Sequence, residues 1–399
     1  MSMRKKCLAY VIHAIHFIST ITAIKQLNSN IDIDIYILVF HPYLSDEDNY
    51  EIYNIIKKIS SKNIQIKNII YLKSNAHNLF IKTFKNYNFN EIYYTVDFVT
   101  DVHPLLFELF PEAKRICVGD ALGNVYEKDV VLSYIKYPSD PNKVINNYKN
   151  NKNYFRVIKE RLKKYFPTKN QPQNNHVFPD FRPHEAALIL PVDQSGNFLK
   201  GIPLTVCRKE LFIGTMNQCA KSCVELNKYV SGIIKKYKKK KYIMLTENIA
   251  EGNFIEYNKE IEMWCYVIKK YCDKDSVIFL KSHPGEVFNR NKLIRKKLGK
   301  DYCVCELKRN FKRYPIELWR DLVLASTIIC MSYPVLSLKY IYNVDVLNPM
   351  DDSFIEKWFP EWIWNSYKNS TSLYKEPLKR LPNWDGKGVL YSGERLEQI

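Results

Sequence analysis

Three stretches of this chain end an apolar run, and another opens a turn, on a side chain able to move a proton or hold an anion. The first runs from Ser276 through Val277, Ile278, Phe279 and Leu280 and stops on Lys281, Ser282, His283 and Pro284. An apolar, β-branched run of this length predicts a strand buried on both faces. The proline fixes the turn and keeps the preceding histidine out of helical geometry. His283 is thereby presented at the carboxyl end of a buried strand, where open α/β sheets take their ligands. Imidazole is also the side chain best suited to proton transfer near neutral pH. A turn histidine with no chemistry would carry the same local signature, so the other three stretches have to decide.

In the second stretch, Arg115 to Val118 lead to Gly119 and Asp120, with Gly123 just beyond. A carboxylate at a strand end can act as a general base, or it can simply cap the next helix. The third is Tyr314-Pro315-Ile316-Glu317, where Pro315 predicts the first turn of a helix. Glu317 would lie in that turn, placed either to favour the helix dipole or to accept the hydroxyls of a ribose. In the fourth, Ala325 to Met331 end on Ser332, followed by Pro334 and Ser337. A hydroxyl and backbone N–H groups at a helix start can form a phosphate site, or the serine can be only an N-cap.

Taken in order and spacing, these stretches resemble the bacterial sialyltransferases of GT-B type, including the polysialyltransferases and lipooligosaccharide sialyltransferases. The family carries a D/E-D/E-G motif, an H-P motif, a Pro-x-Glu segment and a Ser-Ser pair. The resemblance implies Asp120 as base and His283 as acid or phosphate-binding group. It implies a CMP-donor set of Lys281, Pro284, Glu317, Ser332 and Ser337. The sequence keeps one acid of the first motif and one serine of the last, since Ala121 and Tyr333 follow them. The implied activity is inverting transfer of sialic acid or a related nonulosonic acid from a CMP-activated donor. The implied acceptor is a bacterial surface glycan: lipooligosaccharide, O-antigen or capsule. No Asp-x-Asp stands where a metal-dependent transferase would need it, so neither metal nor other cofactor is expected. Teichoic-acid-type CDP-glycerol glycerophosphotransferases share the Lys-x-His-Pro turn, but they generally place an Asp before the serines, where Met331 stands here. CMP-Kdo capsule transferases have similar turns and remain a further alternative.

The elements that must position these residues follow a strand–helix rhythm, which predicts α/β architecture with parallel sheets. Strands are expected at 7–12, 34–40, 64–72, 92–96 and 114–118, with helices at 17–27 and 46–60. Prolines and asparagine pairs break the rhythm over about 130–185, around a basic aromatic segment from Tyr154 to Phe166. A second run starts near Ala186: strands 187–192 and 203–207, then a helix over 218–237. It continues with strand 242–246, helix 259–271, strand 277–281, helix 289–298 and strands 302–307 and 327–331. The organisation expected is GT-B-like, with two Rossmann-type domains facing a central cleft. Residues 1–185 form the acceptor domain, 186–375 the CMP-sugar domain, and 376–399 a tail that could return to the first.

The formal charge of +18 calls for an anionic partner, although a Lys/Asn/Ile/Tyr bias of this kind also follows from an AT-rich genome. The basic residues are spread along the chain with no RRM, KH or zinc-finger signature, which disfavours the non-enzyme alternative, a nucleic-acid-binding protein. The excess charge is expected to serve an acidic glycan acceptor or an anionic membrane face, chiefly through Arg156, Lys159, Lys163 and Lys164, spaced by three and four. No apolar run reaches the roughly 18 residues of a spanning helix. Residues 7–24 are read as a strand and helix rather than a leader, so a cytoplasmic enzyme, peripheral to the inner face of the bacterial inner membrane, is expected. The ten cysteines show no zinc-finger spacing and are expected to be reduced.

Overall fold

A computed structural model describes residues 5–28, 33–40, 45–60, 66–71, 92–95, 112–119, 183–190, 201–250, 254–284, 286 and 289–386. Asp120, the segment from Tyr154 to Phe166 and the last residues of the tail lie outside the described residues.

The first sheet contains β1 (Lys5–Val11), β2 (Ile33–Val39), β3 (Ile66–Tyr71), β4 (Ile92–Thr95), β5 (Lys114–Cys117), β6 (Glu185–Leu188) and β7 (Leu204–Val206). All its pairings are parallel, in the order β3-β2-β1-β4-β5-β6-β7. The second contains β8 (Lys241–Leu245), β9 (Val277–Lys281), β10 (Cys303–Glu306), β11 (Thr327–Ile329) and β12 (Val346–Leu347). It is also parallel, ordered β10-β9-β8-β11-β12. Both orders reverse beside the first strand of the sheet, the doubly wound pattern of Rossmann-type domains. The α/β, GT-B-like class expected from the sequence is the class observed.

Alternation along the second sheet separates two cores. Ile243, Val277, Phe279 and Ile328 face one cluster, which continues without a break into the first domain. Tyr242, Met244, Ile278, Leu280 and Ile329 face the other, against α5 (Tyr257–Tyr271) and α6 (Arg290–Leu298). In the first domain, helix α1 (Ala14–Leu27) is buried on nearly every side. Its Ser19 and Thr22 hydroxyls donate to the carbonyls of Ile15 and Ile18, at 3.1 and 2.8 Å, so these polar positions are satisfied in the core. Among the described residues no helix is long and apolar enough to cross a membrane.

Two features depart from the sequence reading. Strands β6 and β7 hydrogen-bond into the first sheet, not the second, because β6 pairs with β5 and then with β7. A short apolar strand carries no mark of which sheet it will join. The single helix expected over 218–237 is two helices, α3 (Lys209–Ser222) and α4 (Val224–Lys236). They break at Cys223, whose N–H bonds back to Ala220, while Asn227 Nδ2 takes the same carbonyl at 2.9 Å. Helix α3 packs on α1 and on α2 (Asp46–Ser60), whereas α4 packs on α7 (Arg320–Leu324), so the break lets the chain bridge the two domains. Helices α8 (Pro334–Tyr342), α9 (Asp352–Trp358) and α10 (Trp364–Arg380) complete the second domain. The described start of the tail stays with it, since Trp384 packs on Tyr340 of α8 at 5.7 Å.

The carboxyl edges of the two sheets face each other. Arg313, in the segment after β10, donates from Nε to Glu51 at 2.9 Å and from Nη2 to Asp48, both near the start of α2. Tyr333, after β11, donates its hydroxyl to the carbonyl of Leu190, after β6, at 2.8 Å. Arg313 is buried while its two carboxylates are about a third exposed. Burial alone would raise the Asp48 carboxyl, but Arg313, Ser45 and Lys312 outweigh it and hold it below the usual carboxylate range.

Arg313→Ala should therefore lower stability by about 1–3 kcal/mol, less than for a fully buried pair because solvent screens the carboxylates. The folded Asp48 binds its proton more weakly than the unfolded one, so its contribution is full above the unfolded pKa and fades as acid titrates the folded group. Urea unfolding should show the gap between variant and wild type narrowing below about pH 3.8.

Candidate functional site

The order of the second sheet puts β8 at its switch point, between β9 and β11. Three apolar strands end side by side there, where doubly wound sheets form their ligand crevice: β8 on Thr246 and Glu247, β9 on Ser282 and His283, β11 on Cys330 and Ser332. Glu247, His283, Pro284 and Ser332 are half-buried and form the rim. Beneath them lies a buried polar layer. Thr246 Oγ1 meets the Lys281 carbonyl at 3.2 Å and Asn291 Oδ1 at 3.3 Å, and Asn291 Nδ2 donates to Ser282 Oγ at 2.9 Å. Asn291 thus ties the ends of β8 and β9 to α6. Its neighbour Arg290 is fully buried, donates to the carbonyl of Glu247 and lies 3.4 Å from the Glu260 carboxylate. Glu260 accepts from Ala250 N at 3.0 Å and Trp264 Nε1 at 3.3 Å, which fixes the loop after β8.

Three residues of the implied donor set belong to this lower layer. Lys281 is buried and donates to the Lys312 carbonyl at 2.9 Å; burial pulls its ammonium down to about 8, against the attraction of Glu317. Glu317 accepts from Ser337 at 2.7 Å, and both are buried. Burial raises the Glu317 carboxyl against the pull of Ser337 and Lys281. The turn that carries it is a 3-10 helix (Ile316–Leu318), not the start of an α-helix. Leu318 and Trp319 donate back to Pro315 and Ile316, and this tighter winding buries Ile316, Leu318 and Trp319 together.

Ser332 stands just before α8. The expected helix-terminal N–H groups are already used, because Pro334 has none and Val335 and Leu336 donate to the carbonyls of Ser332 and Tyr333. The hydroxyl is the group Ser332 offers to the crevice, and in this structure it donates to Glu247 Oε1 at 2.6 Å.

His283 is set among cations. Burial first, then Lys281, Arg290, Arg313 and Lys312, pull its pKa down to about 4. Four cations around a neutral imidazole make a site that an anion would relieve. The structure therefore brings His283, Pro284 and Ser332 to one rim, with Lys281, Glu317 and Ser337 below it. Asp120 lies outside the described residues; in the chain it follows β5, which ends at Cys117. Sequence reasoning missed Glu247, although Tyr242 to Leu245 stopping on Thr246 and Glu247 has the same strand-end form as the runs it did select. A second recess of about 450 Å³, lined by Lys240, Tyr242, Thr327 and Lys339, opens at the amino edge, away from these groups. Among the described residues no group of His, Cys, Asp and Glu is arranged to hold a metal.

The chain matches no family model and no curated protein sequence. Among solved structures it is similar to the UDP-GlcNAc 2-epimerase of Neisseria meningitidis bound to UDP-GlcNAc, at 11% identity over 96% of this chain and 93% of that one, with a TM-score of 0.49. The UDP-GlcNAc 2-epimerase of Methanocaldococcus jannaschii gives 13%, 100%, 99% and 0.47 in the same order. The GT-B domain of a Photobacterium damselae sialyltransferase gives 12%, 92%, 96% and 0.43. At these identities and scores none of them carries an argument about what this chain does.

His283 should remain neutral from pH 8 down to about 5, which imidazole NMR would show, with its midpoint near 4. Added CMP should move the midpoint upward; a midpoint near 6.5 with or without CMP would contradict the cationic setting. The unfolded chain binds the proton more readily, so folding stability should fall as pH drops from about 6.5 towards 4.

Proposed function

We propose that this chain is an inverting glycosyltransferase that moves sialic acid or a related nonulosonic acid from a CMP-activated donor to a bacterial surface glycan. The observation that carries the reading is His283 among Lys281, Arg290, Lys312 and Arg313, across β8 from Ser332. The position of these groups suits a phosphate, and the ordered motifs suit a CMP-sugar.

Such a donor already has a good leaving group. The protein has to bind it, neutralise charge on the departing phosphate and deprotonate an acceptor hydroxyl. His283 and Ser332 would meet the phosphate, with the buried cations supplying the field behind them. A field fixed before the substrate arrives needs no rearrangement during reaction, which is where its catalytic value lies. Glu317 and Ser337 would support the nucleoside side from below. Asp120 would come from the first domain as the base. The acceptor would lie on that domain, at the inner face of the membrane, where CMP-sugars are available.

Incubation with CMP-sialic acid, CDP-glycerol and CMP-Kdo separately, with the released nucleotide measured, distinguishes the three donor classes. CMP release from CMP-sialic acid is expected; release from CDP-glycerol alone would assign the chain to phosphotransfer. His283→Ala should reduce turnover roughly 10²–10⁴-fold while leaving the unfolding midpoint near that of wild type. Asp120→Asn should slow turnover and leave CMP affinity nearly unchanged, since it removes a base and keeps the shape. Activity of His283→Ala within a few-fold of wild type would contradict the assignment.

A further inference from the structure

Glu247 has no part in the reaction as described, yet it occupies the switch point itself. It follows Thr246 at the end of β8 and is half-buried, with its Oε1 2.6 Å from the hydroxyl of Ser332 at the end of β11. The backbone that aims it is clamped: Arg290 holds its carbonyl and Glu260 holds Ala250 N. Among the described residues, the groups facing its carboxyl are Glu260 from α5, Arg290 from α6, and Cys330 and Ser332 from the end of β11. Arg290 is shared with Glu260 at 3.4 Å and cannot serve Glu247 alone. Burial, with Glu260 adding to it, outweighs Ser332 and Arg290 and raises the Glu247 carboxyl, which favours its acid form. His283 is pushed the opposite way. Two titratable groups at neighbouring strand ends whose environments drive them apart are suited to different roles, and the one held in its acid form is the one able to give a proton.

We propose that Glu247 is the proton source for the departing phosphate, with the hydroxyl of Ser332 bridging the two. This rests on the CMP-sugar reading above. In the step, the bond between the anomeric carbon and the phosphate oxygen breaks, and its electron pair stays on that oxygen. In its acid form Glu247 donates to Ser332 across the same 2.6 Å contact, the reverse of the direction taken when it is a carboxylate, so the Ser332 hydroxyl gives its proton to that oxygen and takes one from Glu247. The acceptor oxygen bonds to the anomeric carbon while its own proton goes to the base. CMP leaves protonated on phosphate, and Glu247 is left as a carboxylate that regains its proton from solvent. His283 then needs only to bind the phosphate, which suits its neutral state before the donor arrives.

The test uses the full chain and CMP-sialic acid, following CMP release as a function of pH, with CMP affinity measured by calorimetry. Wild-type turnover should fall on the alkaline side as Glu247 ionises. Glu247→Gln should keep CMP affinity within about threefold and the unfolding midpoint near wild type. Its turnover should drop roughly 10²–10⁴-fold and the alkaline fall should disappear. Ser332→Ala should lose the same limb of the profile. Glu247→Gln turning over within threefold of wild type, or keeping the alkaline limb, would overturn the proposal, as would a loss confined to CMP affinity. If wild type neither binds CMP nor releases it from CMP-sialic acid, the donor reading itself fails and this inference falls with it.

Discussion

The Arg313 guanidinium, buried between the domains and answered by Asp48 and Glu51, sets how the rest of the molecule meets. A parallel sheet delivers every strand to the same edge, so each domain alone would offer a one-sided row of polar strand ends to water. Joining Arg313 to the start of α2, and Tyr333 to Leu190, turns those two rows towards each other. The crevice follows from that closure. A continuous apolar core running through α3 and α4 backs that contact and holds the two domains together around it.

Closure has an electrostatic cost that the crevice puts to use. Lys281, Arg290 and Arg313 are all taken out of water near His283. Each is compensated by a specific partner: a carbonyl and Glu317 for Lys281, Glu260 for Arg290, and two carboxylates for Arg313. Buried charges so balanced contribute little to net stability compared with apolar replacements. What they supply is a fixed positive field at a strand end. The imidazole in that field is neutral near pH 7, and an anionic ligand beside it would raise its affinity for a proton.

Much of this was legible in the chain. Strand β9 runs over the predicted residues Val277–Lys281, because an apolar run ending on a polar turn admits few other readings. His283 and Ser332 were selected for the same reason, and both stand at the crevice rim. What escaped depends on contacts distant in sequence. Strand β6 joins the first sheet through pairing with β5, across a long stretch of chain. The break at Cys223 comes from Asn227 and from packing against two different domains. Glu247 looked like any acid after a strand until Ser332 was placed beside it. Glu317 and Ser337 were selected as ligand contacts, whereas in the fold they bond to each other below the surface.

The proposed donor site puts the nucleotide phosphate between the ends of β9 and β11, and a crystal structure of the full chain with CMP would test that position. The phosphate should lie within hydrogen-bond distance of His283 and the Ser332 hydroxyl, with the Ser332–Glu247 contact opened or shared. CMP seated instead in the recess of Lys240 and Lys339 at the amino edge, or bound with its phosphate away from His283, would contradict the assignment of this crevice as the donor site.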